Sequence, residues 1–105
     1  MITFDAVCRM VSLEPRELER WIAECWVLPE SEASGYVFSE FDVARVRLIV
    51  ELRRDLAVGE EAVPVVLRLL DQLYATRRRM RSLLQALETL PDEHRAAVLR
   101  RLGEE

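Results

Sequence analysis

Apolar residues in the first third of the chain recur three and four positions apart, in short bursts separated by polar turns. Phe4, Val7, Cys8 and Val11 fall on one side of a helix, Thr3 stands where a cap belongs, and Asp5 lies in the first turn, where an acid is favoured. A turn over Met10–Leu13 follows. Pro15 then suits the first position of a second helix, with Leu13 and Leu18 spaced as a hydrophobic staple and Trp21, Ile22 and Cys25 continuing its apolar side. Two short helices joined by a few residues predict a helix-turn-helix. Two β-prone runs, Trp26–Leu28 and Tyr36–Phe38, flank a polar turn with Ser34 and Gly35 and read as a hairpin, a small wing. Ser39 and Asp42 form the capping pattern of a third helix running to about Leu56, with Phe41, Ala44, Leu48, Ile49, Leu52 and Leu56 expected on its core side. Gly59 stops it.

The fourth helix, from about Glu61 to Glu88, has the most regular pattern. Val66, Leu70, Leu73, Arg77, Met80, Leu84 and Leu87 alternate steps of four and three, the a/d seam of a coiled coil, with Arg77 its only polar member. Val63, Leu67 and Tyr74 add a second stripe, so the early turns are expected to pack on their own domain and the later ones to meet a second copy. Val98, Leu99 and Leu102 give the segment after Pro91 a short amphipathic helix ending at Gly103. The expected class is all-α with a small β-hairpin wing. Residues 1–58 form the winged helix-turn-helix, 59–90 the dimerisation helix and 91–105 a short helix or tail.

Composition narrows the functions open to such a fold. No apolar run approaches the ~18 residues of a membrane span, and the start of the chain has no basic region of the kind that opens a signal peptide, so the cytoplasm is the expected location. Cys8 and Cys25 are expected to be buried, reduced thiols, and His94 stands alone. With three glycines, no phosphate-cradling loop and no nucleophile–base arrangement, neither enzyme activity nor a cofactor is expected. Trp21 is assigned to the core, while Trp26 is left between core and interface.

Charge changes the picture most. All fifteen basic residues are arginines, and the net charge is −4. Between Ser12 and Ser34, Glu14, Glu17, Glu19, Glu24, Glu30 and Glu32 stand against only Arg16 and Arg20. A phosphate backbone would be repelled there, where a DNA reader gains affinity by releasing counterions. Glu14, Glu17, Glu24, Glu30 and Glu32 are therefore candidates for contact with a basic protein partner; the plainer alternative is a solvated carboxylate surface. The run Arg77-Arg78-Arg79-Met80-Arg81 is the one basic cluster, but successive residues turn by about 100° around a helix and cannot form one strip.

The order of pieces resembles the MerR-type winged-helix scaffold, best over "GYVFSEFDVARVRLI". Within that superfamily, "LEPREL", "WVLP", "YVFSEFDVARVRLIVELRRDL" and "VVLRLLDQLYATRRRMRSLLQAL" are similar to the chaperone-modulator family CbpM, over most of residues 2–88. That resemblance implies a non-enzymatic homodimer that binds the J-domain of a DnaJ-like co-chaperone (CbpA) and blocks its productive contact with Hsp70. The superfamily resemblance favours an antiparallel seam; in that arrangement Asp71 and Glu88, on opposite sides of Arg77 along the helix, are its candidate pairing partners. DNA-binding relatives typically read Gly-Tyr-Arg in the wing, and here the third place is Val37. Metal-sensing relatives place cysteines near the end of the dimer helix, and this chain has none there. The alternative function is a small MerR-like transcriptional regulator that grips DNA as a dimer.

Overall fold

A computed structural model of the protein describes residues 1–103. The chain divides into two compact units, Met1–Leu67 and Arg68–Glu105.

The first unit opens with a two-residue strand β1 (Ile2–Thr3) that runs into α1 (Phe4–Val11). The Thr3 hydroxyl accepts the Ala6 N–H at 3.2 Å, the cap expected from sequence. Ser12 ends the helix in the left-handed region at φ 53°. In α2 (Pro15–Ala23), Pro15 occupies the first position, and Leu13 and Leu18 are both buried on either side of the cap residue Glu14. The wing consists of β2 (Glu30–Glu32) and β3 (Gly35–Phe38), paired antiparallel through Glu30↔Val37 and Glu32↔Gly35. Gly35 turns the hairpin at φ +117°, a conformation that L side chains rarely adopt. β1 pairs with the other edge of β3, giving the sheet order β1-β3-β2.

Three expectations are corrected here. Trp26–Leu28 is not a wing strand: Trp26 and Val27 are both buried, whereas a strand with one solvated face alternates, and the hairpin partner of β3 is Glu30–Glu32 instead, set against residues 35–37. Cys25 is not buried: it lies beyond the end of α2 at φ 62°, exposed. The core side of α3 (Glu40–Val50) is carried by Val43, Val46 and Ile49, continued by Leu52, while Phe41, Ala44 and Leu56 face solvent. The Ser39–Asp42 capping box starts the helix: each side chain bonds the other's backbone N–H, at 3.1 and 2.9 Å.

α3 runs into a π-helical turn (Glu51–Asp55), in which the Leu56 N–H reaches back five residues to the Glu51 carbonyl at 3.1 Å. Arg53 donates to the Val58 carbonyl at 2.8 Å and closes this end. α4 (Val63–Leu87) begins within the first unit, with Val63 and Leu67 in the same core as Val7, Leu18, Trp21, Val27, Phe38 and Ile49. Pro64 stands in its first turn, where a missing N–H is tolerated.

The second unit contains the rest of α4 and α5 (Asp92–Leu102), which follows Pro91 and ends at Gly103 as expected from sequence. No residue of α5 is buried. Among the described residues, no helix is long and apolar enough to cross a membrane.

Candidate partner-binding surface

Arginines tie down backbone carbonyls on either side of α2. Arg45 donates to the Trp26 carbonyl at 2.5 Å, anchoring the segment between α2 and the wing, where Trp26 packs on Trp21 with ring centroids 6.2 Å apart. Arg54 donates to the Ser12 carbonyl at 2.8 Å, linking the helix-turn-helix turn to the π-helical end of α3. Arg20 forms an ion pair with Glu60, and Arg53 approaches the same carboxylate at 3.7 Å. Four of the seven arginines in this unit are thus held by the unit itself. Arg20 in particular, on the helix that would enter a DNA groove, is turned to Glu60.

The carboxylates are disposed differently. Glu14, Glu17, Glu19, Glu24, Glu30 and Glu32 are all exposed, and among the described residues none forms an ion pair. The five candidate contacts do not converge on one point. Glu14 caps the start of α2 and Glu24 its end, about 15 Å apart along the axis at 1.5 Å per residue. Glu17 lines a small polar cavity of about 200 Å³ with Arg20, Arg53, Arg54 and Glu60. Glu30 and Glu32 lie two positions apart on β2, on the same side of the strand.

A second group of acids gathers where sequence reading did not place one. A cleft of about 440 Å³ is lined by Met1, Ile2, Leu28, Val37 and Phe38, with Ser39, Glu30, Glu40 and Asp42 as its polar members. In the sequence Asp42 was legible only as the capping partner of Ser39, and Glu40 carried no signal of its own. The signal for Leu28 was Pro29, which stops a strand from forming through it; Leu28 is 72% exposed.

Among the seam residues on α4, Val66 and Leu70 are half-buried, and Leu73, Arg77, Met80 and Leu84 are exposed. Leu87 differs. It is buried within its own chain, beside the turn in which the Glu88, Thr89 and Leu90 amides donate back to Gln85, Ala86 and Leu87. Leu69 and Leu83, outside the seam, are half or more exposed, so the apolar surface of α4 is wider than the a/d positions.

No group of three or more potential metal ligands is placed together among the described residues. Burial, followed by the Asp5 and Glu19 carboxylates, raises the Cys8 thiol above its ordinary value of 9.0, which disfavours the reactive thiolate.

A helix-turn-helix, a three-stranded wing and a long helix define a winged-helix regulatory module. The family described as MerR HTH family regulatory protein matches residues 2–85, and the chain belongs to that family. Neither a curated protein nor a solved structure matches it significantly.

Proposed function

We propose that this protein is a homodimeric, non-enzymatic modulator of a DnaJ-like co-chaperone, as the similarity to the CbpM family implies. It binds the J-domain and blocks its productive contact with Hsp70. The observation that carries this reading is the imbalance of free charge on the helix-turn-helix and wing. Six exposed carboxylates are unpaired there, and Arg20 is engaged with Glu60. Such a surface complements a basic helix and opposes a phosphate backbone. The homodimer forms through the seam of α4 from Val66 to Leu84. An exposed apolar strip on a 25-residue helix is what a second copy would cover.

The test is calorimetric titration of the full chain with the J-domain of the same organism's DnaJ-like co-chaperone. Saturable binding at micromolar concentration or tighter, weakened by added salt, is the expected result. Heat no larger than dilution would remove this reading.

A second reading is favoured by the family itself, whose description is that of a helix-turn-helix regulator. In it the dimer grips duplex DNA, and Arg16→Ala lowers affinity together with the salt slope. Under the first reading, Arg16→Ala changes nothing in J-domain binding.

A further inference from the structure

The cleft beside the wing has the chemistry of a docking groove, and the side chains of Leu28, Glu30 and Glu40 on it take part in none of the hydrogen bonds or ion pairs above. Its floor is apolar, made by Ile2, Val37 and Phe38. Its rim carries Met1 and Leu28, two of the most exposed large apolar side chains in the chain. The charged side chains that line it are all acidic: Glu30 from β2, and Glu40 and Asp42 from the first turn of α3, with no arginine among them. Asp42 already accepts the Ser39 N–H through one oxygen. Glu30 and Glu40 form no ion pair among the described residues.

We infer that this cleft receives a basic amphipathic helix of a protein partner, whose cation meets Glu30 and Glu40 while an aliphatic side chain one turn away packs on Leu28. This rests on the modulator reading and deepens it by naming the surface; Glu14, Glu17 and Glu24 lie outside the cleft. A helix is the fitting shape because both sheet edges are too short for strand addition. β1 has two residues and β2 three, against the five or six of an ordinary strand. At about 440 Å³ the cleft takes anchoring side chains from a helix lying across its mouth, not a whole segment of chain. Cationic partners are selected because three carboxylates at an apolar surface attract them and repel nucleic acid.

The experiment compares the full-length wild-type chain, a Glu30→Lys/Glu40→Lys variant, Leu28→Ala and a Glu14→Lys/Glu17→Lys variant, each titrated with the J-domain named above. All the altered side chains are exposed, and an unchanged unfolding midpoint checks that each variant folds. Wild type is expected to bind, with affinity reduced about tenfold or more by the reversals in the cleft and several-fold by Leu28→Ala. The pair on α2 is expected to stay within about twofold of wild type. If the cleft variants bind like wild type while the α2 pair fails, the groove is wrong and the modulator reading survives. Should wild type itself not bind, both fall. A change in the sedimentation mass of the free protein on reversing Glu30 and Glu40 would assign the cleft to a second copy and overturn the proposal.

Discussion

The two compact units of the chain draw their stability from different sources. Met1–Leu67 holds fourteen of the fifteen buried apolar side chains of the described residues, gathered from α1, α2, the wing, α3 and the start of α4. Among the described residues from Arg68 onward only Leu87 is buried; Leu70 is half-buried, and the other leucines of α4 and α5 in this unit face solvent. The charges divide along the same line: thirteen carboxylates against seven arginines in the first unit, and eight arginines against six carboxylates in the second. A unit with a shared core folds on its own contacts. A helix with an open apolar strip depends on what covers it, because helical propensity alone stabilises so little. The first unit is therefore complete in its own core, whereas the open strip of α4 is what the proposed second copy would cover.

The sharpest way to break that contrast is to damage each unit in turn. Phe38 is fully buried at the centre of the first unit, with Phe4 6.4 Å away between ring centroids. Phe38→Ala is expected to destabilise the fold by about 3–5 kcal/mol, read as a lowered denaturant midpoint. Leu73→Asp, on the open strip of α4, is expected to halve the sedimentation mass while the first unit stays folded by circular dichroism. If Leu73→Asp instead unfolded the first unit, the two would not be separable as described.

Smaller effects refine the first unit. Ser39→Ala removes the side-chain cap of α3 and is expected to cost about 1 kcal/mol in chemical denaturation. Arg20→Ala breaks the pair with Glu60, but both side chains are roughly half exposed, so the loss is expected to stay between about 0 and 1 kcal/mol. The cysteines give the smallest effect. Exposed Cys25 should react with a thiol reagent in the native protein, and buried Cys8 only after unfolding. Because folding raises the Cys8 thiol, its contribution to stability is present below pH 9.0 and lost as pH rises through the folded value. Cys8→Ala should flatten that alkaline decline.

Much of this was legible in the chain, for physical reasons that also explain what was not. The caps at Thr3 and Ser39, Pro15 at the start of α2 and the long apolar period of α4 are local signals, and each appears where the residues place it. On α3 the expected core side held at Leu48, Ile49 and Leu52 but not at Phe41, Ala44 and Leu56, because Val43 and Val46 fill the core in the earlier turns and the π-helical turn ends the regular period before Leu56. The wing strand was shifted because Trp26 and Val27 are β-prone, yet tertiary packing draws both into the core and leaves Glu30–Glu32, a sequence with no β signal, to pair with β3. The acidic cleft depends on long-range assembly. Glu30 and Leu28 come beside Glu40 because β2 pairs with β3 in the register Glu30↔Val37, and the pairing of β1 with β3 adds Met1 and Ile2 to the same cleft.

The central claim is that a helix-turn-helix scaffold here presents carboxylates to a protein rather than cations to phosphate. Fluorescence anisotropy of a labelled J-domain, titrated with the full chain in the presence and absence of excess duplex DNA, tests it most directly. Saturable binding that weakens with salt and is unaffected by the DNA is the predicted result. Displacement of the J-domain by DNA, or steeply salt-dependent binding to labelled DNA with none to the J-domain, would contradict it.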